Sequence, residues 1–391
     1  MMRTKTENGK LIIALEGRID ATNATEWERA LTEAIDAHGG IAPDLDAADL
    51  EYISSAGLRV LLKLSKRLNA LLRVLNVPPD VYEIFETTGF TDLLYVTKGY
   101  RRLSIEGLPL IGQGATASVY RLSPETVVKI YKHTNNLGEA KLENDRSRNA
   151  FVSGIPTAIA FEIVKVGDSY GAVYELLDAE VLVTMMENDK AHLEEPVRKF
   201  AALIRKINHI EVSPDKFLQM KPASISLLPQ LEAVCTKEET DKLRSLLESV
   251  PDRVTFLHGD CHPANVMVQN GEYLFIDLMT SACGHPVFDL ASMCSFYHFP
   301  QDEESRKNNT LLRNFTEEEC SRIWDIFLRA YFDTEDEAYL RKAERQITAV
   351  SAVRDLFSTI FFPGHLSQER IDYLKSVALS YVDSGLEPFC F

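Results

Sequence analysis

The segment richest in reactive side chains is VTFLHGDCHPANVMVQNGEYLFIDLMTSACGHPVFDLAS, Val254 to Ser292. Asp260 can accept a hydroxyl proton or orient that hydroxyl, and Asn265 and Asp277 offer hard oxygens that suit magnesium. Manganese would satisfy the same chemistry. Two short apolar strands, NVMVQ and YLFID, flank a turn at Gly271. The twelve residues from Asn265 to Asp277 are what a hairpin needs to return both side chains to one end. His258 and His262 invite a zinc reading, but neither a cysteine pair nor an HExxH context accompanies them, and they read instead as residues that hold the loop together.

Upstream, LIGQGATASVYRL carries Gly112 and Gly114 between two strand-like stretches, and Lys129 in VVKIY follows Gly114 by fifteen residues. Glycines let backbone N–H groups approach phosphates closely, and a lysine on the next strand can hold the α- and β-phosphates. Ala117 occupies the place of a third glycine, so this hairpin taken alone would also serve as an ordinary turn. Glu143, in the helical stretch EAKLENDRSRNAFVSG, can pair with Lys129 and hold it against a nucleotide, with Glu139 as the competing carboxylate. The order glycine loop, strand, lysine is that of a protein-kinase-like small lobe. GAVYELLDAEVL then passes from strand to helix through Glu175-Leu176-Leu177, which in a kinase is the hinge whose backbone reads adenine.

A third chemical signal lies near the N-terminus, in DLEYISSAGLRVLL from Asp49 to Leu62. A strand ends there in a small-residue turn, and Ser54, Ser55 and Ala56 open a helix. A hydroxyl at that position can cap backbone N–H groups, and a phosphate would meet the positive end of the helix dipole. Phosphoserine adds about 1.5 to 2 negative charges, enough to change which partner surface the turn docks against.

The elements that must position these groups follow from apolar spacing. In residues 1–105 strand-like and helix-like patterns alternate: LIIAL, a helix in ATNATEWERALTEAIDAH stopped at Gly39-Gly40, a strand near Ile41 to Leu45, a helix from Ala56 to Leu71, the strand LRVLNV, and a proline-started helix ended by Gly89. Such β-α alternation implies a sheet with helices packed on it. From Thr310 onward, CSRIWDIFLRAYF and RIDYLKSVALSYV read as helices that complete a large lobe and wall an acceptor pocket, and FSTIFFPGHL reads as core, with the lining of a pocket or an interface as the alternative.

Residues 1 to about 100 resemble the STAS family, the anti-sigma factor antagonist domains, through YISSAGLRVLL and LRVLNVPPDVYEIFETTGF. The resemblance implies a four-helix, mixed-sheet module that binds an anti-sigma factor with serine-kinase activity and is switched by phosphorylation of one serine, here Ser55. Many regulatory members carry Asp just before that serine, where this chain has Ser54. The alternative is that Ser54 and Ser55 only cap a helix in a docking module.

HGDxHPxN followed by IDxxxxxxGxPxFDLA resembles the aminoglycoside phosphotransferase and choline kinase group over about residues 108 to 300. That resemblance implies a bilobal protein-kinase-like fold with a β-rich small lobe, about 106–178, and a mostly helical large lobe, about 179–391. It further implies transfer of the γ-phosphate of ATP to a hydroxyl. Asp260 would be the catalytic aspartate, Asn265 and Asp277 the Mg2+ ligands, Lys129 a phosphate-binding residue with Glu143 as its partner, and Asp289 a buried aspartate supporting the catalytic loop. Met279-Thr280 stand where many small-molecule kinases carry a further acidic residue, which leaves the acceptor open.

The whole is thus expected to join an α/β STAS-like domain, 1–105, to an α+β kinase domain, 106–391. Composition constrains the partners: a net charge of -16, with no basic run beyond pairs such as Lys66-Arg67, argues against nucleic acid or an anionic membrane. No apolar run approaches the roughly 20 residues needed to cross a bilayer, so a cytoplasmic protein is expected. Six irregularly spaced cysteines fit reduced buried thiols. Two functions other than an active kinase remain open, a regulatory binding protein whose kinase-like part senses nucleotide, and a kinase that phosphorylates Ser54 or Ser55 of its own or a sister chain.

Overall fold

The computed structural model describes residues 3–7, 9–114, 117–132, 136–299, 312–364 and 366–391. Two compact units emerge, one made of residues 1–120, 129–137 and 163–172, the other of residues 121–128, 138–162 and 173–391.

The first unit opens with β1 (Thr4–Glu7), β2 (Lys10–Ile19), α1 (Ala24–Ala37), β3 (Asp44–Ile53), α2 (Ser55–Leu68), β4 (Arg73–Val77), α3 (Pro79–Thr87) and β5 (Tyr95–Lys98). These five strands form one sheet in the order β1-β2-β3-β4-β5, antiparallel between β1 and β2 and parallel thereafter. Leu11, Ile13 and Leu15 alternate along β2 and are buried, while Leu58, Leu61 and Leu64 form the buried stripe of α2. At Gly57 a Cβ would stand 2.7 Å from Ile53 Cγ1 and 2.8 Å from Ile19 Cγ2, so α2 can start against the strand ends only with glycine there. Among the described residues of 3–98 three α-helices are present, not the four implied by the STAS resemblance: Gly89, at φ +73°, ends the turn after α3, and Phe90–Asp92 makes only a 3-10 turn before β5 begins.

A six-stranded sheet follows from β6 (Arg101–Arg102), β7 (Leu110–Gln113), β8 (Ala117–Arg121), β9 (Thr126–Tyr131), β10 (Ala160–Val166) and β11 (Ser169–Glu175), in the order β6-β10-β11-β9-β8-β7. The helix α4 (Leu137–Val152) lies in sequence between β9 and β10.

The rest of the second unit is mostly helical: α5 (Leu182–Asn188), α6 (Glu194–Ile207), α7 (Met220–Leu227), α8 (Lys237–Ser249), α9 (Val287–Tyr297), α10 (Glu317–Phe332), α11 (Glu337–Phe361) and α12 (Gln368–Asp383). Short strands fill the space among them. β12 (Glu180–Val181), β15 (Val266–Gln269) and β16 (Glu272–Phe275) form one sheet, and β13 (Leu218–Gln219), β17 (Ala282–Gly284) and β14 (Thr255–Leu257) form another. α9 is buried along nearly its whole length, as a helix apolar on all sides must be, and α11 packs against both α9 and α12. Thr236 and Thr316 begin α8 and α10 with capping boxes to Glu239 and Glu319.

Phe357 belongs to the core and Ile360 and Leu366 pack against it, but Phe361 and Phe362 are 59% and 65% exposed, so FSTIFFPGHL is core only in part. The two exposed rings stand where α11 ends, at Phe361. Among the described residues no helix is long and apolar enough to cross a membrane. Cys235, Cys261, Cys283, Cys294 and Cys320 are buried thiols, and Cys390 is half-buried.

Candidate active site

β14 delivers the chain into His258-Gly259-Asp260, and this loop is fixed from below by one carboxylate. Asp289 Oδ2 accepts from His258 N at 3.0 Å and Asp289 Oδ1 accepts from Gly259 N at 2.8 Å. Asn208 Nδ2 donates to the same Oδ2 at 2.9 Å and to Phe256 O at 3.1 Å, and Tyr331 Oη donates to Asn208 Oδ1 at 3.1 Å. A carboxylate inside an apolar helix is costly unless every lone pair it presents is met, and α9 meets that cost with three N–H donors. Burial pushes the Asp289 carboxyl up, opposed by those donors, first among them Gly259 N–H.

Gly259 has φ +82°, and a Cβ there would stand 2.2 Å from Thr280 O. Only glycine fits both the backbone conformation and the closeness of the Leu278–Thr280 turn. Thr280 Oγ1 returns a hydrogen bond to His258 O at 3.2 Å. The His258 ring is buried against Phe275, with Nε2 donating to Ile276 O at 3.1 Å and Nδ1 accepting from Asp260 N at 3.3 Å. With both ring nitrogens committed, His258 has none left for a metal. Burial pulls its pKa down, which agrees with a neutral ring in that tautomer.

The Asp260 carboxylate is bonded on both sides. Oδ2 faces His262 Nε2 at 3.2 Å and Asn265 Nδ2 at 3.4 Å, and Oδ1 accepts from Arg354 Nη2 at 3.1 Å. Burial alone would raise its pKa, but the hydrogen bond from His262 and the Arg354 guanidinium outweigh it and hold the carboxyl well below the usual range. Asp260 is therefore ionised at neutral pH. His262 is largely buried edge-on to Phe296, and its Nδ1 has no hydrogen-bond partner among the described residues.

Asn265 Nδ2 also donates to Asp260 O at 2.9 Å, which commits the amide nitrogen and leaves the oxygen as the atom that a cation would take. Val266 pairs with Phe275 across the β15–β16 hairpin, and Ile276 N donates to Asn265 O at 3.0 Å. Asn270 and Gly271, both at positive φ, make the tight turn at the far end. Asn265 thus precedes the hairpin and Asp277 follows it, at the same end. Asp277 is itself left-handed, at φ +59° and ψ +67°, an uncommon conformation for a non-glycine residue. An amide oxygen and a carboxylate are hard donors of the kind magnesium takes.

The other candidate residues fall as follows. Gly112 is in β7; Gly114 follows it, donating to Ala117 O at 2.9 Å and accepting from Lys132 Nζ at 2.5 Å. Two residues of this loop, Ala115 and Thr116, lie outside the described residues. Lys129 is in β9, its Nζ 5.6 Å from the centre of the Tyr131 ring. Of the two competing carboxylates on α4, Glu143 is 2% exposed and Glu139 is exposed. Glu175 ends β11, where its N donates to Ile159 O at 2.9 Å and its Oε2 accepts from Ile159 N at 3.2 Å. Leu176 N is bonded to Glu125 O at 2.8 Å, and Leu177 is buried. Glu175 and Leu177 border a cavity of about 500 Å³ shared with Thr157, Ile159, Asn270 and Glu272.

In the first unit, Ser54 is the N-cap of α2: its Oγ accepts from Ala56 N at 3.2 Å and Gly57 N at 3.5 Å. Ser55 is the first residue of the helix and is exposed. Ser54, and not Ser55, therefore supplies the side-chain cap.

Three residues of this site escape a reading of the sequence. Asn208 lies in an ordinary helix end, and Arg146, half-buried on α4, donates through Nη1 to Met279 O beside the Leu278–Thr280 turn. Arg354 is the third. Its signal was present: Arg354 and Asp355 interrupt the apolar run ITAVSAVRDLFSTIFF, where a solvated helix face would carry more charge.

Residues 107–341 match the model of the family described as "Phosphotransferase enzyme family", and residues 1–103 match the STAS domain. The "Putative anti-sigma factor antagonist BtrV" of Bordetella bronchiseptica is 38% identical over 92 residues, which are 23% of this chain and 78% of the relative. Among solved structures, a choline/ethanolamine kinase family protein from Mesorhizobium loti superposes with a TM-score of 0.47 at 17% identity, covering 71% of this chain and 92% of the other. An aminoglycoside phosphotransferase, APH(4)-Ia, in ternary complex with ADP and hygromycin B, gives 0.49 at 12% identity, covering 78% and 98%.

Proposed function

Because the chain belongs to the phosphotransferase enzyme family through residues 107–341 and carries an anti-sigma factor antagonist-like STAS domain in residues 1–103, we propose that it is an ATP-dependent kinase acting on a hydroxyl acceptor under control of the STAS module. The domains are taken as 1–105 and 106–391. We place the protein in the cytoplasm, where its cysteines persist as thiols.

The observation that carries this reading is the Asp260 carboxylate, bonded to Asn265, His262 and Arg354 on a loop that Asp289 anchors. In the proposed reaction the acceptor oxygen bonds to the γ-phosphorus, the bond from that phosphorus to the β,γ-bridging oxygen breaks, ADP leaves, and Asp260 takes the hydroxyl proton. Asn265 Oδ1 and the Asp277 carboxylate would hold magnesium, which supplies neutralisation of phosphate charge. Gly112 and Gly114 would bring backbone N–H groups to the phosphates, Lys129 would bind them, and Glu143 would position Lys129. The Glu175–Leu177 backbone would read adenine. His258, His262 and Asp289 would fix the catalytic loop.

Support for the regulatory half comes from Ser55, exposed at the start of α2 while Ser54 does the capping. A phosphate on Ser55 would stand at the positive end of α2 and alter docking of an anti-sigma factor.

The test is magnesium-dependent ATP consumption by the full-length protein with a panel of alcohols and with Ser55→Ala. Turnover that disappears in Asp260→Ala and Asp277→Ala is expected. ATP consumption indifferent to both substitutions, or nucleotide bound without transfer to any acceptor, would move the assignment to a nucleotide-sensing regulator.

A further inference from the structure

The contact between Arg354 and Asp260 bears on which acceptor the site takes. Asp260 Oδ2 is turned to His262 and Asn265, so an acceptor hydroxyl that gives its proton to this carboxylate must come to Oδ1. The Arg354 guanidinium is already there, 3.1 Å away. An incoming acceptor therefore meets a cation before it meets the base.

That cation is built into the large lobe. Arg354 Nη1 lies 3.7 Å from Asp355 Oδ1, and the Asp355 carboxylate is in turn held by Ser295 Oγ at 2.6 Å and by Arg370 Nη2 at 3.5 Å. Arg370 is packed over the rings of Phe299 and Tyr373. Asp260 and Asp355 are thus each paired with a guanidinium, that of Arg354 and that of Arg370. The Arg354 side chain is 32% exposed, open enough to exchange one oxyanion partner for another.

We propose that the acceptor is a small anionic alcohol, one whose carboxylate or phosphate lies within a few bonds of the hydroxyl to be phosphorylated, and that Arg354 binds that oxyanion. The planar fork of a guanidinium pairs with either group through two parallel hydrogen bonds. On binding, the anion draws Arg354 off Oδ1 and opens that oxygen to the hydroxyl, so recognition and release of the base are one event. A neutral alcohol gives Arg354 nothing in exchange for Asp260, and a cationic one is repelled. This rests on the kinase reading above but is tested apart from it, by binding.

Isothermal titration of the full-length protein with D-glycerate, glycerol 3-phosphate, glycerol and choline, each with and without magnesium and AMP-PNP, separates the carboxylate from the phosphate source and both from uncharged and cationic alcohols. One of the two anions is expected to bind at least about tenfold tighter than glycerol or choline. Arg354→Gln should weaken that anion about tenfold or more, and Arg354→Lys, which keeps charge but not the fork, should fall between. Circular dichroism and melting confirm that each variant is folded. Choline or glycerol binding as well as either anion, neither anion binding, or an anion affinity unchanged in folded Arg354→Gln would overturn the proposal. Absence of phosphoryl transfer with anion binding intact would instead strike the kinase reading alone.

Discussion

Asp289 Oδ1 accepts a hydrogen bond of 2.8 Å from the Gly259 amide, so a residue in the first turn of a buried helix sets the backbone of the loop that carries Asp260. Asp289→Asn would turn an NH2 group toward one of the two backbone N–H donors, whichever oxygen it replaces. A loss of about 3 kcal/mol is expected, the scale for breaking a buried charged network. The two tryptophans make this measurable: Trp27 lies in the first unit and Trp324 in the second, so denaturation followed by Trp324 fluorescence in a Trp27→Phe background reports the second unit. Unchanged stability would mean that the loop holds itself.

Gly259→Ala tests the same loop from the other side. A methyl group at φ +82°, 2.2 Å from Thr280 O, forces the loop and the Leu278–Thr280 turn apart. Transfer activity should fall at least about a hundredfold, as expected for displacement of reacting groups by about an ångström. Hydrogen exchange should increase at His258 to Asn265 with α10 and α12 protected as before.

Asp260→Ala should lower kcat by about a thousandfold, within the range for a lost general base, while stability changes by less than about 1 kcal/mol because Arg354 is partly solvated. Asp277→Ala should remove the magnesium dependence along with turnover. Chelation should stop the wild-type reaction, and manganese should restore it.

Two pH effects have opposite origins. The Asp260 carboxyl is held below its unfolded value of about 3.9, so its stabilising contribution is complete above about pH 4 and lost as pH falls through the folded value. An acid limb in kcat/KM near neutrality would therefore belong to another group. His285 is buried, with Nε2 donating to Phe391 O at 2.9 Å, and burial brings its pKa down to about 4. The unfolded chain, with a value of about 6.5, binds the proton first, so stability declines from about pH 6.5 toward pH 4, by about 3 kcal/mol in all. Equilibrium denaturation of wild type and His285→Phe across that window should show the slope shrinking in the variant.

Ser54→Ala removes the cap of α2 and should cost about 1 kcal/mol, visible as earlier melting of the first unit by Trp27 fluorescence in a Trp324→Phe background. Ser55→Ala, at an exposed position, should cost less than about 0.5 kcal/mol. Equal costs would show that both serines are structural.

The loop from His258 to Asn265 and the strands after it were legible because local rules act within a few residues. Asn270 and Gly271 dictate the turn, alternation dictates the strands, and the hairpin then has to bring Asn265 and Asp277 to one end. Phe361 and Phe362 were misread for the complementary reason: hydrophobicity says that a side chain can be buried, but not which side chains of the stretch turn toward the core. Glu143 and Glu139 are equivalent in spacing arguments, and only packing separates a buried carboxylate from an exposed one.

By itself the sequence determined the family and the order of the two modules, because short motifs and periodic patterns encode local geometry. Tertiary structure alone decided that Arg354, ninety-four positions beyond Asp260, occupies one oxygen of its carboxylate. It also decided that Asn208 and Tyr331 extend the network beneath Asp289, and that Ser54 rather than Ser55 caps α2. Contacts between distant segments depend on how whole helices pack, and no local pattern in the chain carries that information.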